Sequence, residues 1–319
     1  MAWSKTKTTV AVGLAILGLG LVVWLALAGG KKLNQQFAAG RLTRQVAALP
    51  QRLTNSLGMV FVRVTNTEVL FCIWKTRVQD FFPFIKASGR DMSGSVYSYG
   101  ASGWTCAGDS WEHPGFEQAP THPVCGVNWD DAVAFCEWLT QKERADGDLK
   151  PHQFYRLPTD DEWSAAVTKL KFPWGSQWPP LEGTANLGGE ENVADAQAAG
   201  FVVLKGYRDK FSRTSPVGTF PGNPNGLFDM AGNVQEWCSD WFRKEMNSEE
   251  FRRKHRFFND DGGGQEYRVL RGSHWLDRDP GRIAAATRSF YHPQLRVVTV
   301  GFRVVLADDS IRLAREKLK

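Results

Sequence analysis

The sequence has few cysteines and no arrangement of them that makes a zinc site. Only five of the 319 residues are cysteine, and an odd count excludes a fully paired set of disulfides within one chain. There is no CxxC, and no spacing of cysteine and histidine matches a structural zinc site. Cys136 and Cys238 stand in apolar runs typical of buried free thiols. Cys106 and Cys125 flank a loop and can pair if the domain is exported.

Other signatures of catalysis and of nucleic-acid binding are also absent. We find no Ser-His-Asp signature, no phosphate-binding loop and no paired carboxylates at a catalytic spacing. The net charge of +5 is modest, and the basic run at 252–256 has no reading motif beside it. We therefore expect no nucleic-acid partner.

Long hydrophobic runs are absent except for one near the N-terminus. Residues 9–28 read TVAVGLAILGLGLVVWLALA without a charge, and about 20 apolar residues are what a helix needs to cross a bilayer. We expect an N-terminal tail at 1–8, a transmembrane anchor at 9–28 and a juxtamembrane spacer at 29–54. A cleaved signal peptide is the alternative, because Ala26-Leu27-Ala28 has the small residues of a cleavage site.

The orientation of this single-pass protein is indicated by two opposing features. Arginines at 41, 44 and 52 favour a cytoplasmic domain by the positive-inside rule. The short N-terminus before an export-like hydrophobic segment favours the opposite orientation. We expect the domain to be exported, on the periplasmic or extracellular side of the membrane.

The globular part, residues 55–306, is rich in aromatic residues and turn formers. The whole chain has 20 Phe, 13 Trp and 31 Gly, most of them in this part, which shows little sustained periodicity. Such a composition predicts large buried aromatics in irregular, turn-rich structure. A charged tail follows at 307–319. The stretch 173–226 reads mostly as loop, and a loop of that length needs something to hold it, for which metal ions are one answer.

Three helices and three strands are predicted within this part. One helix follows Asn128, and a second begins at the capping box that starts with Thr159 and has Trp163, Ala166, Val167 and Leu170 as its buried stripe. A third begins at Thr76, and Pro83 should interrupt or kink it. The strand candidates are 59–64, 268–270 and 301–306.

Short motifs occur in a fixed order between Asn55 and Leu306. They are Asn55-Ser-Leu-Gly-Met-Val-Phe-Val62, His122-Pro-Val-Cys-Gly-Val-Asn-Trp-Asp-Asp-Ala-Val-Ala-Phe-Cys136, Tyr155-Arg-Leu-Pro-Thr-Asp-Asp-Glu-Trp163, Phe172-Pro-Trp-Gly175, Ser215-Pro-Val-Gly218, Asn225-Gly-Leu-Phe-Asp-Met-Ala-Gly-Asn-Val-Gln-Glu-Trp237, Arg271-Gly-Ser-His-Trp275 and Gly301-Phe-Arg303. In this order they resemble the formylglycine-generating enzyme, or sulfatase-modifying factor, family. The resemblance implies an irregular α+β fold related to C-type lectins.

Two calcium ions are implied by the same resemblance. The residues that match one site are Asp229, Gly232, Val234 and Glu236, and those that match the other are Asn186, Leu187, Asp209 and Phe211, with Leu187 and Phe211 contributing backbone carbonyls. Carboxylates and carbonyls are the hard oxygen ligands that calcium prefers. The alternative is that Asp229 and Glu236 cap turns and pair with arginines.

The catalytic part of the resemblance fails. Formylglycine-generating enzymes oxidise a sulfatase cysteine with oxygen and copper(I), and two cysteine thiolates after the family's "GGSW" motif hold the copper. Here no cysteine follows Cys238, and Ser273 and His274 stand where the family has Gly and Ser. Val304 replaces the cysteine that usually follows "GFR", so Cys136 lacks that partner. We expect no copper and assign no catalytic residue.

Iron chemistry known from some relatives is not indicated either. Those relatives use histidines of an additional helical domain, whereas here no histidine precedes His113 and no histidine pair is spaced i,i+4. The hypothesis we favour is a calcium-stabilised binding or scaffolding module whose peptide, protein or small-molecule ligand lies in a groove at His274, Trp275 and Arg288.

An atypical enzyme of the formylglycine-generating or non-haem oxidase family, acting on a peptide or small molecule, is the alternative hypothesis. It would use His274 as an acid or base beside Asp277 and Asp279. A histidine in a polar surface turn and an internal salt bridge of Arg288 are the corresponding structural interpretations. A formylglycine-generating enzyme proper is a third hypothesis, and the missing cysteines argue against it.

Overall fold

The computed structural model describes residues 49–100, 103–106, 110–198, 202–242 and 266–311. The predicted anchor at 9–28, most of the spacer at 29–54 and most of the tail at 307–319 lie outside these ranges. Within them, no helix is both long and apolar enough to cross a membrane. Residues Pro50–Asp308 form one compact unit.

A five-stranded antiparallel sheet joins the two ends of this unit. Its strands, in sheet order, are β1 (Arg52–Thr54), β2 (Val60–Arg63), β3 (Leu70–Cys72), β12 (Val305–Asp308) and β6 (Gln153–Arg156). The last strand of the unit therefore lies between an early strand and a middle one.

A second sheet positions most of the residues that the sequence motifs contain. It has the order β11 (Val300–Phe302), β7 (Gln235–Trp241), β8 (Arg268–Arg271) and β9 (Arg288–Tyr291), and β11 pairs with β7 in parallel. A small third sheet contains β10 (Arg296–Val297), β4 (Val96–Gly100) and β5 (Gly103–Cys106). Sheets with few helices confirm the predicted mixed α+β class.

Helices are few in the described part of the chain. They are α1 (Val78–Ser88), α2 (Trp129–Ala145), α3 (Asp160–Val167), α4 (Val193–Ala198) and the short α5 (Pro280–Ile283), with a 3₁₀ turn at Glu190–Asn192. The predicted helix after Asn128 is confirmed, because Asn128 and Asp131 form a reciprocal capping box at its start.

The helix at Thr159 is confirmed at its start and wrong at its end. Thr159 and Glu162 form the predicted capping box. The helix ends at Val167, and Thr168 has a φ of 81°, outside the helical region. Leu170 is consequently 44% exposed and is not part of the buried stripe.

The helix predicted at Thr76 starts later and is not interrupted. It begins at Val78, with Arg77 and Asp80 forming its capping box, and it continues through Pro83. Proline costs a helix one backbone hydrogen bond, but buried Phe81 and Phe84 lie in the same turns and pack against Phe135 of α2. Tertiary packing therefore outweighs the local cost.

The predicted strand 301–306 is two strands in different sheets. β11 ends at Phe302 and β12 begins at Val305. Between them the guanidinium of Arg303 is fully buried and donates to the carbonyls of Cys72 and Phe228, at 2.9 and 2.7 Å. The chain passes from one sheet to the other around this side chain.

Candidate functional site

The first predicted calcium group is assembled from two loop segments. Its Asp209 carboxylate accepts hydrogen bonds from the backbone N–H of Leu187 at 2.7 Å and of Phe211 at 2.9 Å. These bonds bring Asn186 and Leu187 beside the 209–211 turn, the arrangement that the family resemblance implies. Burial raises the pKa of Asp209 to about 7, although the two backbone N–H groups oppose that shift.

Several buried oxygens in this region have no hydrogen-bond partner among the described residues. They are Asn186 Oδ1, Asn192 Oδ1 and Glu191 Oε2. The amide nitrogens of Asn186 and Asn192 donate to the adjacent carbonyls of Arg213 and Ser212, so the two amides are neighbours. A buried polar atom without a partner is costly and indicates a missing ligand or water.

Glu191 joins the same region through its other oxygen. Its Oε1 accepts from the backbone N–H groups of Asp209 and Lys210, both at 2.9 Å. Glu191 and Asn192 are not among the residues predicted from the sequence. Their only signal there is a carboxylate and an amide in succession, within an unusually long segment after Leu187. We name Asn186, Leu187, Glu191, Asn192, Asp209 and Phe211 the Asn186 group.

The Asn186 group fits a calcium ion by the chemistry of its donors. It offers two carboxylates, two amide oxygens and the backbone carbonyls of Leu187 and Phe211, which are hard oxygen donors. In the described part of the chain neither Asp209 nor Glu191 forms a salt bridge with a cationic side chain. Among the described residues, no three His, Cys, Asp or Glu side chains lie together in a way that could hold a metal ion. The Asn186 group is not such a cluster, because two of its side-chain donors are amides.

The second predicted calcium group is Asp229, Gly232, Val234 and Glu236, which we name the Asp229 group. Asp229 has a φ of 55° and accepts through Oδ2 from the N–H of Gly218 at 2.8 Å. Its Oδ1 has no hydrogen-bond partner within the described ranges. Gly232 donates its N–H to Ser273 Oγ at 2.8 Å, so the altered motif residue supports this turn.

Cationic groups contact both carboxylate oxygens of Glu236, which is not expected for a carboxylate that binds a metal ion. Lys75 Nζ lies 2.8 Å and Arg303 Nη2 2.9 Å from Oε1. Arg303 Nε and Trp163 Nε1 donate to Oε2 at 3.1 and 2.9 Å. Burial raises the pKa of Glu236, but Arg303 and then Lys75 outweigh burial and bring the value to about 2.

The residues of the Asp229 group therefore fit a calcium ion poorly. The alternative from the sequence, in which Glu236 pairs with arginine, describes the contacts of Arg303. Lys75 is not among the residues predicted from the sequence. It directly follows the apolar run that contains β3, and nothing in the sequence marks this lysine as part of a site. Calcium at this group stays a prediction.

The two groups are in contact with each other. Asn233 donates its N–H to the carbonyl of Asn186 at 3.0 Å, and its own carbonyl accepts from Trp275 N–H at 2.9 Å. Gly188, next to the Asn186 group, donates to the carbonyl of Asp277 at 2.9 Å. The segment after Arg271-Gly-Ser-His-Trp275 thus braces both predicted calcium groups.

The residues of the predicted ligand groove have other contacts. Trp275 is completely buried, with its ring 6.0 Å from Phe116, so it offers no face to a ligand. His274 is 7% exposed, its Nδ1 accepts from Leu276 N–H at 3.2 Å, and Asp277 Oδ2 lies 3.6 Å from its Nε2. Burial lowers the pKa of His274.

Arg288 lies in an internal salt bridge. Its Nε donates to Asp160 Oδ2 at 2.7 Å, and the other carboxylate oxygen of Asp160 accepts from the buried Arg271. Asp160 is the first residue of α3, so the pair of arginines also holds the start of that helix. This contact matches the structural alternative for Arg288, namely an internal salt bridge.

The cysteines offer no pair of thiolates. All five are free, Cys106 is exposed, and the other four are buried. Burial raises the pKa of Cys72 to about 12 and raises the pKa values of Cys125, Cys136 and Cys238 well above the ordinary range. Cys125 donates to Gln118 Oε1 at 3.7 Å and does not pair with Cys106.

A cavity of about 310 Å³ opens beside the Asp229 group. Its walls are mainly apolar, with Trp174, Phe220 and Leu227 among the lining residues and Asp229 at one side. A concave surface with apolar walls and a single carboxylate is typical of a small-ligand or peptide-binding pocket.

Comparison with known proteins gives one family. The profile of the family described as "Sulfatase-modifying factor enzyme 1-like domain" matches residues 25–308. The Mus musculus formylglycine-generating enzyme is 31% identical over 209 residues, which cover 61% of this chain and 48% of that protein. The Mus musculus protein named "Inactive C-alpha-formylglycine-generating enzyme 2" is 30% identical over 207 residues, covering 60% and 53%.

A solved structure has the same fold. The structure of PvdO from Pseudomonas aeruginosa aligns with a TM-score of 0.54 and 22% identity, covering 75% of this chain and 80% of that one. The chain spans about half the length of the two Mus musculus relatives, which are covered to 48% and 53%.

Proposed function

The chain belongs to the sulfatase-modifying factor enzyme 1-like domain family, and we propose that it is a binding or scaffolding module of that family without copper-thiolate oxidase activity. The observation that carries the proposal is the absence of any cysteine after Cys238 in the whole sequence. Copper(I) needs soft thiolate ligands, and the family's copper ligands follow the motif that here ends at Trp275.

The segment after Trp275 has a structural task of its own in this molecule. The Asp277 carboxylate accepts from the His274 N–H at 3.0 Å, and its backbone carbonyl accepts from Gly188. The segment thereby braces the Asn186 group. The buried, protonated thiols of Cys125 and Cys238 give no substitute ligands. A relative whose own name calls it inactive is 30% identical, so the family includes members without the enzyme's activity.

One calcium ion at the Asn186 group is part of this proposal. Its two carboxylates and two amides supply oxygens, and Asn186 Oδ1 and Asn192 Oδ1 are buried without partners among the described residues. A calcium ion would tie the 186–192 segment to the 209–211 turn and so stabilise a long irregular region. Removing the ion with a chelator should lower the melting temperature of the protein.

The ligand of the module is a peptide, protein or small molecule, and we propose that it binds in the cavity walled by Trp174 and Phe220. Attachment to the membrane through residues 9–28, with the domain exported, completes the proposal. Export is tested by adding protease to cells before and after lysis. A result that places the domain on the cytoplasmic side, where it is protected until the membrane is broken, would disprove export.

The absence of oxidase activity is tested by mass spectrometry of a Cys-x-Pro-x-Arg peptide. The detergent-solubilised full chain is incubated with the peptide, copper(I), a thiol reductant and oxygen, with an active formylglycine-generating enzyme as positive control. We expect no conversion of cysteine to the aldehyde. Conversion that persists after the cysteines are replaced by serine would show a site built from other residues, and conversion of any kind would refute the proposal.

A further inference from the structure

Four charged side chains are buried together around the Asp229 group. Lys75, Glu236 and Arg303 have no exposed surface, and Asp229 is 5% exposed. Two of the four are anions and two are cations, so the cluster is neutral without any bound ion. We name these residues the buried charge cluster.

The ammonium of Lys75 forms a salt bridge with one carboxylate of this cluster. It lies 2.8 Å from Glu236 Oε1, and Arg303 Nη2 lies 2.9 Å from the same oxygen. The lysine therefore contacts a side chain that the resemblance assigned to a calcium ion.

We propose that the ammonium group of Lys75 is the permanent cation of the Asp229 group and that this group binds no calcium ion. A calcium ion here would compete for Glu236 oxygens that already accept from Lys75, Arg303 and Trp163. It would also add two positive charges to a neutral, buried cluster. An uncompensated charge in the protein interior is strongly unfavourable.

The Asn186 group provides the internal contrast. Its Asp209 and Glu191 carboxylates have no salt bridge within the described ranges, so no cationic side chain there competes with a divalent ion for their oxygens. The inference about Lys75 does not depend on whether that group is filled. One of the two calcium ions that the family resemblance implies is thus replaced by the ammonium group of Lys75.

The first test measures bound calcium in the protein and in Asp209→Asn. Each full-length, detergent-solubilised protein is equilibrated with 1 mM calcium, filtered and analysed by elemental mass spectrometry. We expect Asp209→Asn to retain no calcium, because only the Asn186 group binds it. One calcium per chain retained in Asp209→Asn, and lost on adding Glu236→Gln, would overturn the inference. Unaltered protein without calcium would refute only the calcium ion proposed at the Asn186 group.

The second test removes the lysine. In the Asp209→Asn background, Lys75→Met leaves two buried carboxylates facing one arginine. We expect it to lose stability without calcium and to gain a calcium-dependent rise in melting temperature of about 5 °C, as a ligand well above its Kd produces. Lys86→Met, which removes an exposed lysine of α1, is the matched control and should show no calcium response. A Lys75→Met protein that folds but whose melting temperature does not change with calcium would also overturn the inference. If this variant does not fold, the first test decides alone.

Discussion

Gly232 lies so close to the backbone carbonyl of Asn186 that no other residue fits. A Cβ atom at position 232 would lie 2.1 Å from that carbonyl oxygen, and Gly232 has a φ of 79°. This contact joins the Asn186 group to the Asp229 group. The glycine of the Asp229 motif is thus required by packing in this chain, whether or not an ion binds beside it.

Replacing Gly232 with alanine should destabilise the protein by about 3 kcal/mol or more. The left-handed backbone costs about 1–2 kcal/mol for a residue with a side chain, and the overlap with a rigid carbonyl adds about 1–3 kcal/mol. Gly226→Ala is the control, since its φ is 74° and a Cβ atom added there would meet no atom within 4 Å. Equal losses in urea unfolding of the two variants would contradict the role of the contact.

Asp160→Asn should cost about 3 kcal/mol of unfolding free energy. The aspartate forms salt bridges with two arginines, and removing its charge leaves the guanidinium of Arg271 buried without its anion. The exposed neighbour Asp161, in the same first turn of α3, is the matched control, and Asp161→Asn should change the stability by about 0.5 kcal/mol or less. Thermal and denaturant unfolding of both variants measures the difference.

Only one cysteine should react in the native protein. Cys106 is exposed, whereas the four other thiols are buried, and their pKa values are raised by burial. Iodoacetamide at pH 8 followed by intact-mass measurement should add one label per chain, and Cys106→Ser should add none. Labelling of two or more cysteines before unfolding would contradict the buried, protonated state that also excludes thiolate ligands for copper.

His274 should make stability fall as the pH is lowered. Burial lowers its pKa in the folded protein below the ordinary value of 6.5, so the unfolded chain takes up the proton first. The contribution is present in full above about pH 6.5 and is lost as the pH falls toward the folded pKa. His274→Asn, which can still accept from the Leu276 N–H, should show a smaller drop in melting temperature between pH 7.5 and pH 5.

The surface residue His113 provides the comparison for this measurement. His113→Asn removes an exposed imidazole and is the control variant for the same measurement. If His274→Asn and the unaltered protein lose melting temperature in parallel, the buried histidine does not contribute.

Local signals account for the parts of the fold that the sequence predicted. The capping boxes at Asn128 and Thr159 lie within four residues of the helices they start, so the sequence alone contains their physical cause. The end of α3 and the course of α1 through Pro83 depend on distant packing. Neither could be read from the residues nearby.

The candidate site was predictable only as far as its motif. Asn186, Asp209 and Gly232 are grouped only through the family resemblance, and their segments lie together in the structure. His274, Trp275 and Arg288 are assigned to a groove because of the same resemblance, whereas Trp275 is buried and Arg288 pairs with Asp160. The partners that decide the chemistry of Glu236 are Lys75 and Arg303, which follow strands β3 and β11 and are far away in sequence.

The position of β12 between β3 and β6 sets an order of events during synthesis. Val305 and Leu306 pair with Phe71 and Leu70 on one side and with Arg156 and Tyr155 on the other. Until residues 305–308 leave the ribosome, the two earlier strands have no partner along their facing edges. Contacts of such long range form slowly and leave strand edges open to other chains. The nascent domain is therefore most exposed to aggregation, and has most need of a chaperone, in the interval before β12 is synthesised.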